Sequence, residues 1–504
     1  ADAGYRVDRY GLCLDWNMGY PPDQRAARPR GTGLILEHAD EFAELTSRAP
    51  VAPHFGDFVL GMPAALDNTR AALAAGATSI GNLGQYFTFR LPDWDDDVAI
   101  AVETIKAIML CATQPVPILI HSNLDDGFAA LFRDMSCALG AVLIERFIVD
   151  ELLGGCASHC YGHTYSEPLA RLAFQRALSR VCDTPGTMVY GNTTAYDADL
   201  AGNYASLASY LSVDIFAQMD RPSGHAVNPV PVTEALRIPS IAEVVEVHLF
   251  ANRLAERVNG LRSLYRVDRA DEIADRLVDG AHEFRRRCLD GLENAGIDRD
   301  NPLDLMLAIR RLGARRLEAL FGPGDDSGEM RKPLVPSTTL TEIDKRARAL
   351  YDGLDADTRE RLSIGLDTVC VATTDVHEYG KLLLERILEL CGVEVIDGGV
   401  CTDADDLIDI VKRHRATAIA ISTYNGVALS YFEALKRAIG DAGLSAIPVY
   451  IGGKLNQVDD RPGGAADGLP VDVDEELIRL GANPCATPGE MLDDLALRRS
   501  SVHR

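Results

Sequence analysis

The 504-residue sequence predicts an α/β protein with two parallel-sheet units and a helical segment between them. Short apolar runs alternate with amphipathic helical patterns over about residues 30–260, and the same alternation returns over 363–504. Strands and helices that alternate in this way form right-handed βαβ units, which build parallel sheets. Residues 261–362 differ, because helical patterns rich in Arg and Glu dominate there. A chain of this length is expected to hold two to three domains.

The first unit, residues 1–260, is predicted to be a (β/α)8 barrel that binds the substrate. Eight strand candidates separated by helical patterns suit that architecture. The strand candidates are Gly33–Glu37, Val51–Phe55, Thr78–Ile80, Val116–His121, Gly140–Arg146, Thr187–Tyr190, Val213–Gln218 and Ala226–Val232. The clearest helices between them are Ala64–Ala75, Asp97–Ala112 and Glu167–Val181.

The middle segment reads as the closing helix of the barrel followed by a helical connector over 261–362. Its predicted helices are Ile241–Val258, Ala270–Ala295, Pro302–Phe321 and Leu340–Leu362. Gly322–Pro336 carries the glycines and prolines typical of a loop. The alternative is a separate helical domain for interaction with a partner.

The last unit, residues 363–504, is predicted to be a flavodoxin-like (Rossmann-like) domain. Its strands are Asp367–Thr373, Val393–Ile396, Thr417–Ser422 and Pro448–Ile451. Its helices are about Glu378–Cys391, Asp403–His414 and Ser430–Ala442. A strand order of 2-1-3-4-5 places the ends of strands one and three at the switch point, where such sheets bind ligands.

Three separated motifs fall at strand ends in this unit. Asp375-Val-His377-Glu-Tyr-Gly380 follows the first strand, Ser422 closes the third, and Gly452-Gly453 ends the fourth. In a parallel sheet these positions share one edge, so the motifs are expected to meet. Together they resemble the cobalamin-binding signature Asp-x-His-x-x-Gly with its Ser-x-Leu and Gly-Gly partners, although Tyr424 replaces the leucine.

Each residue type suits a role in holding a cobalt corrinoid. The imidazole of His377 is a suitable ligand for the metal, and Asp375 can orient its other ring nitrogen. Glycines at 380, 452 and 453 permit close approach to the nucleotide tail of the cofactor. The Ser422 or Thr423 hydroxyl can bond that tail, and Gly426 in the same loop is counted with the binding residues.

Residues 363–500 resemble the small subunit of glutamate mutase, and the first unit is more weakly similar to the large subunit. The shared segments include DLIDIVKRHRATAIAISTYNG, PVYIGGKLN and LIRLGANPCATPGEMLDDL. The resemblance implies an adenosylcobalamin-dependent radical isomerase, a carbon-skeleton mutase with both subunits fused in one chain. In that family, homolysis of the cobalt–carbon bond yields the radical that abstracts substrate hydrogen.

The resemblance also implies where substrate binds, and here the match is incomplete. The family uses three arginines for carboxylates and a glutamate for the amine. Arg90 matches one arginine and Glu145 the glutamate, whereas the other two arginine positions fall near Gly56-Asp57 and at His121. Because histidine does not replace the two-pronged hydrogen bonding of arginine, glutamate is not the expected substrate. A smaller, less acidic or differently shaped acid is expected.

Other polar residues of the first unit are weaker candidates. Cys156, His159, Cys160 and His163 have the composition of a zinc site without its usual spacing. Asn192 follows the predicted sixth strand, and Gln218, Asp220, Arg221 and His225 follow the predicted seventh. Buried cysteines packing beside a loop are the more common explanation of the first group, and a hydrated loop explains the residues after the seventh strand as well as a functional role does.

Two other functions stay open from the sequence. A corrinoid methyltransferase would use His377 in the same way, and a cobalamin sensor or carrier would use the first unit as a scaffold. A pyridoxal phosphate aminomutase is disfavoured, because Lys106 is the only lysine before Lys332, although Lys454 lies in the last unit.

Bulk properties limit the partners. A formal charge of −25 argues against nucleic acid and anionic membranes, and the eleven scattered cysteines argue against a disulfide framework. We expect a cytoplasmic homodimer acting on a small-molecule acid.

Overall fold

The computed structural model describes residues 7–28, 30–48, 51–163, 165, 167–192, 196–326, 331–364, 368–375, 377–458 and 470–502. Asp367 and part of the predicted Gly322–Pro336 loop therefore lie outside the described residues. Within the described ranges, no helix combines the length and the apolar character that crossing a membrane requires.

Seven short strands form the centre of the N-terminal unit, which we define as residues 7–335. They are β1 (Arg9–Cys13), β2 (Ala52–Asp57), β3 (Ser79–Ile80), β4 (Leu119–Ser122), β5 (Ala157–His159), β6 (Met188–Tyr190) and β7 (Ala226–Asn228). The first five pair in parallel in chain order, and β6 and β7 form a parallel pair. A bridge between Tyr161 and Val189 links the two groups. Among the described residues no pairing joins β7 to β1, so the closed eight-stranded barrel stays a prediction.

Helices surround these strands. They are α1 (Ala39–Ser47), α2 (Ala65–Ala74), α3 (Gln85–Thr88), α4 (Asp97–Ala112), α5 (Met135–Arg146), α6 (Pro168–Val181), α7 (Leu200–Asp220), α8 (Ile241–Leu261), α9 (Asp268–Asn294) and α10 (Pro302–Phe321). Two predicted strands were wrong: Gly140–Arg146 lies in α5 and Val213–Gln218 in α7. Most of their residues are buried. A helix that is apolar on most sides does not show the three-to-four-residue spacing of apolar positions by which a helix is told from a strand in a sequence.

The sequence also missed two strands. β1 lies before the first predicted strand, Gly33–Glu37. Within that predicted strand only Leu34 forms a β-bridge, and its partner is Leu14. β5 contains Ser158 and His159, so its composition does not stand out as apolar.

Much of the predicted connector belongs to the N-terminal unit. Helix α9 packs on α5 and α6, and α10 packs on α4 and α9. Leu277, Phe284 and Leu305 are fully buried in the same core as the strands. The apolar positions of these helices recur every three or four residues, which supplies one face to cover the sheet.

The C-terminal unit, residues 368–502, has the predicted sheet. Its strands are β8 (Thr368–Thr373), β9 (Glu394–Asp397), β10 (Ala418–Thr423), β11 (Val449–Gly453), β12 (Asn456–Gln457), β13 (Val471–Asp472) and β14 (Asn483–Cys485). The main sheet is parallel with the order β14-β11-β10-β8-β9, which confirms the predicted 2-1-3-4-5 arrangement. Buried Val, Ile, Ala and Cys side chains fill both faces of its central strands.

Helices cover both faces of this sheet. They are α11 (Thr338–Gly353), α12 (Ala356–Ile364), α13 (Glu378–Leu390), α14 (Ala404–His414), α15 (Ala428–Asp441), α16 (Asp474–Leu480) and α17 (Pro488–Val502). Helix α11 packs on α13 and α12 packs on α17, so the helices before the sheet share one of its cores. Helices α14 and α15 contribute to the core on the opposite face.

The two units meet through polar and apolar contacts. The Tyr424 hydroxyl donates to Glu234 Oε1 at 2.7 Å, and Lys454 Nζ donates to the carbonyl oxygen of Ala235. A small apolar cluster adds Cys401 and Val427 of the C-terminal unit to five residues of the N-terminal unit, which are Trp16, Tyr20, Met62, Phe89 and Leu91. These contacts bring the carboxyl edges of both sheets together.

A buried arginine fixes the loops that follow β5 and β6. Arg171 on α6 is fully buried and makes a two-pronged ion pair with Asp214 on α7, at 3.0 and 2.6 Å. It also donates to the carbonyl oxygens of Gly162, Tyr165 and Tyr190. A planar guanidinium satisfies this many acceptors at fixed angles, which holds both loops in place.

Arg171→Ala is expected to destabilise the N-terminal unit by about 3–5 kcal/mol, because it leaves a buried carboxylate and three carbonyls without their donor. Urea denaturation of the full chain followed by circular dichroism measures the change. Arg269→Ala on α9, where the arginine is exposed and pairs with Glu272, is the control and should change stability little. Equal stability of the two variants would show that Arg171 does not hold the loops.

Candidate functional site

The three motifs of the C-terminal unit meet at the carboxyl edge of its sheet. Ser422 on β10 lies opposite Thr373 on β8 and opposite Gly452 on β11. The loop that carries Asp375 and His377 follows β8 directly. The parallel register therefore brings together residues that are far apart in the sequence.

Asp375 orients His377. The His377 ring contacts Asp375 Oδ1 through Nδ1 at 2.7 Å, and the His377 backbone N–H donates to the same oxygen at 2.9 Å. The side chain of His377 is 43% exposed, whereas that of Asp375 is 2% exposed. This arrangement leaves Nε2 as the ring nitrogen available to a metal, with the tautomer fixed by the carboxylate.

The second oxygen of Asp375 holds the neighbouring loop. Oδ2 accepts from the backbone N–H of Tyr424 at 2.7 Å and of Asn425 at 3.2 Å. Burial alone would raise the pKa of the Asp375 carboxyl, but His377 and these backbone donors bring it below its ordinary value. The carboxylate is therefore the charged form that this pocket stabilises.

The Tyr424 ring lies against His377. The two ring centres are 4.4 Å apart, and the Tyr424 hydroxyl reaches Glu234 in the N-terminal unit. The aromatic residue that departs from the Ser-x-Leu pattern thus connects the imidazole with the other unit.

A narrow slot runs from this edge between α13 and the start of α17. Its cavity measures about 110 Å³. Its walls include Gly380, Ser422, Gly452 and Gly453 with mostly apolar neighbours. All three motifs therefore contribute to one apolar cleft beside His377.

Two glycines keep the slot open at its edges. A Cβ at Gly380 would collide with Ser422 Oγ, and one at Gly453 would collide with the carbonyl oxygen of Thr423. Gly453 also has a φ of +104°, a conformation that L side chains rarely adopt. Thr423 itself is buried and accepts from Thr374 Oγ1 at 2.8 Å, so its hydroxyl stabilises the loop. Gly426, with φ +72°, lies against Val458 and Thr32.

A cavity of about 240 Å³ lies between the two units. His377 and Asn425 line it from the C-terminal unit, and the carboxyl ends of the N-terminal strands line the other side. The residues contributed from those strand ends and the loops beside them include Cys13, Trp16, Asp57, Asn123 and Asp126. A second interface cavity of about 500 Å³, lined in part by Thr374, Thr402 and Tyr431, shares Trp16 with the first.

The three substrate-binding candidates of the N-terminal unit are not among the residues that line the 240 Å³ cavity. Arg90 pairs with Asp95 and with two acids of α14 and its cap, Asp406 at 2.8 Å and Asp403 at 3.7 Å. These carboxylates already occupy its guanidinium. Binding of a substrate carboxylate by Arg90 stays a prediction that would require those ion pairs to open.

His121 and Glu145 are both buried. The His121 ring packs edge-on against His54, with centres 4.7 Å apart, and contacts the Thr187 hydroxyl at 2.6 Å. Burial lowers the pKa of His121 well below its ordinary value, so the ring is neutral.

The expected strand-end position of Glu145 is corrected by the structure, because it lies on helix α5. Its carboxylate accepts from Ser122 Oγ at 3.0 Å and contacts His159 Nε2 at 2.6 Å. Burial would lower the pKa of His159, but the Cys182 and Glu145 side chains raise it to about 9. Glu145 and His159 therefore form a buried ion pair.

The cysteine and histidine loop after β5 is only partly brought together. Cys160 and His163 lie within 4.8 Å of each other and of Asp125, whereas His159 faces Glu145. Asp125 is already used, since its carboxylate accepts from the backbone of Gly162 and His163 and contacts the His163 ring. Asp125 was missed in the sequence because nothing in its local pattern separates it from other loop acids.

The residues predicted to follow the seventh strand lie at the other end of the unit. Residues 218–225 precede β7, which begins at Ala226, so they sit at its amino end. His225 contacts the His159 carbonyl oxygen and Ser223, and Asp220 pairs with Arg176. Asn192 follows β6 and is buried.

The residues at the C-terminal edge fit a cobalt corrinoid. An oriented imidazole with an accessible Nε2 suits the metal, and the apolar slot suits a flat nucleotide base. The glycines at 380 and 453 line that slot, where a Cβ would collide with the Ser422 hydroxyl or the Thr423 carbonyl oxygen.

Comparisons with known proteins agree with this fit. Residues 365–472 match the family model described as the B12 binding domain. The glutamate mutase sigma subunit 1 of Haloarcula marismortui is 38% identical over 85 residues, which is 17% of this chain and 56% of that subunit. The chain thus covers little more than half the length of this relative.

Two larger enzymes are also similar. The methionine synthase of Mycobacterium tuberculosis is 27% identical over 223 residues, 41% of this chain and 18% of that enzyme. The fused isobutyryl-CoA mutase of Nocardia farcinica is 32% identical over 82 residues, 16% of this chain and 8% of that enzyme. The chain therefore carries a B12-binding domain, and its relatives support a B12-dependent enzyme.

Asp375→Asn is expected to weaken cobalamin binding about 10–100-fold, because the amide cannot hold His377 and two backbone donors as an anion does. Titration of the full chain with cobalamin, followed by absorbance, gives the Kd. Asp409→Asn on the exposed side of α14 is the control and should leave the Kd unchanged. Equal affinities for the two variants would contradict the orienting role.

Gly453→Ala is expected to cost about 1–3 kcal/mol in local strain and to weaken cobalamin binding at least roughly ten-fold. Gly440→Ala in α15 is its match, because a Cβ there meets nothing within 4 Å. Unchanged cobalamin affinity in Gly453→Ala, measured by the same titration, would remove that glycine from the binding slot.

Proposed function

We propose that this chain is an adenosylcobalamin-dependent radical mutase that rearranges the carbon skeleton of a small carboxylic or amino acid. The observation that carries the proposal is that His377 and the carboxyl ends of the N-terminal strands line the same cavity. Parallel α/β units bind their substrates at those ends, so the metal ligand faces a substrate-binding region.

The residues of the C-terminal unit would hold the cofactor. His377 would be the protein's ligand to cobalt, Asp375 would fix the orientation of its ring, and the slot beside Gly380 and Gly453 would receive the nucleotide tail. Bound adenosylcobalamin supplies a carbon-centred radical by homolysis of its cobalt–carbon bond. The two interface cavities share Trp16, so together they offer space in which the cofactor would bind.

The N-terminal unit would enclose the reaction. Its strand ends and the apolar cluster around Trp16 and Phe89 surround the interface. A radical on the substrate must be kept from water and other reactants, and an enclosed site serves that need. We include in the proposal a closed (β/α)8 barrel that plays the part of the mutase large subunit within the same chain, and a homodimer.

A corrinoid-dependent methyltransferase is the second candidate, and the similarity to methionine synthase favours it. The position of the helices before the B12-binding domain favours the mutase, because these helices do not cover His377. Helices α11 and α12 pack beside α13 and α17 on one face of the sheet. The cavity at His377 is lined instead by the ends of the N-terminal strands, where a substrate would bind.

The mutase proposal predicts a radical pair. Protein loaded with adenosylcobalamin is mixed anaerobically with a panel of small amino and carboxylic acids, then frozen and examined by EPR. We expect the coupled signal of cob(II)alamin and an organic radical with at least one compound, and its loss in His377→Ala. Transfer of a methyl group from methylcobalamin, with no radical pair from any compound, would contradict the mutase.

A further inference from the structure

We propose that the substrate carries a positively charged amine and is not a dicarboxylic acid. The proposal rests on the proposed function, because it takes the 240 Å³ cavity beside His377 as the place where substrate binds. It concerns the charge of the ligand that this cavity selects.

The charged groups in the cavity wall facing the substrate region are acids. Asp57 ends β2, and Asp126 lies in the loop after β4. Of the described residues that line the cavity, none is a lysine or an arginine. A third lining acid, Asp15, has a structural role, because its carboxylate accepts from the backbone of Asn17, Gly31 and Gly33.

Asp57 is placed where an ammonium ion would gain most. Burial raises the pKa of its half-buried carboxyl, and so does the charge of Asp126, while side-chain hydrogen bonds from Cys13 and Asn82 and the charge of His163 lower it. Burial is the largest of these effects, and the net pKa is raised. A cationic ligand restores the charged form of such a carboxylate, whereas an anionic ligand adds to its cost.

Asn123 adds a polar group to the same wall. Its side-chain nitrogen donates to Asp126 Oδ2 at 3.4 Å, and its Oδ1, which has no hydrogen-bond partner, lies against Gly84. The residue lines the cavity and is 8% exposed. The wall also holds Trp16 Nε1 without a partner, a neutral donor that can serve one carboxylate oxygen without neutralising its charge.

The arginines nearby are committed to other acids. Arg90 is held by Asp95, Asp403 and Asp406, and Arg171 is fully buried against Asp214. His163 pairs with Asp125 and also lies 4.0 Å from Asp126, so a single histidine is shared among several acids. Asp57 and Asp126 thus present carboxylates in the cavity. A dicarboxylic acid would meet like charges there.

The test compares two ligands of equal length and opposite charge on the adenosylcobalamin-loaded full chain. Propane-1,3-diamine and glutarate both place two charged ends across three methylenes. Isothermal titration at constant ionic strength in the dark should give a Kd for the diamine at least roughly ten-fold lower than for glutarate. Equal or tighter binding of glutarate would overturn the proposal.

Variants locate the preference. Asp126→Asn, at a half-exposed position that tolerates the change, should reduce the preference for the diamine, and adding Asp57→Asn should abolish it. Asp300→Asn, exposed in the turn between α9 and α10, removes the same charge outside the cavity and should retain the preference.

The Kd for cobalamin, measured in each variant, separates substrate from cofactor effects. If the two aspartates instead hold the amide groups of the corrin, the variants will weaken cobalamin binding and leave the diamine preference intact, which contradicts the proposal. A further outcome is a diamine preference that depends on Asp57 and Asp126 in a protein that forms no radical pair with any compound. That result would support a positively charged ligand in the cavity and would contradict the mutase reaction.

Discussion

One buried carboxylate organises the C-terminal edge. Asp375 uses one oxygen for the ring and backbone of His377 and the other for the backbone of Tyr424 and Asn425. It therefore ties the loop after β8 to the loop after β10 and sets the direction of the imidazole in the same interaction. The apolar slot beside Gly380 and the cavity facing the N-terminal unit both border this pair of loops.

The interface between the units follows from the same loops. Tyr424 is held at its backbone by Asp375, lies against His377, and reaches Glu234 with its hydroxyl. Tyr424 thus connects His377, the loop after β10 and the N-terminal unit. Arg90 adds ion pairs to Asp403 and Asp406 on another side of the interface.

The sequence predicted the C-terminal unit well because its signals agree with one another. Fully buried strands such as Thr368–Thr373 alternate with strongly amphipathic helices, and the strand order follows from right-handed connections. The N-terminal unit was harder because α5 and α7 are apolar on most sides and lack a helical period in the sequence. Glu145 was placed at a strand end for that reason. The pairing of Arg90 with acids more than 300 residues away, and the meeting of Asp57, Asn123 and Asp126, depend on tertiary packing that a local pattern does not contain.

The central claim is that His377 binds cobalt. EPR of the cob(II)alamin complex, with the protein grown on ¹⁵N-labelled histidine and the cofactor left unlabelled, tests it most directly. If His377 binds cobalt, the nitrogen coupling on the cobalt lines changes from the three-line pattern of ¹⁴N to the two-line pattern of ¹⁵N. A three-line pattern that is indifferent to the label, and unchanged in His377→Ala, would show that the cofactor keeps its own base and that His377 is not the ligand.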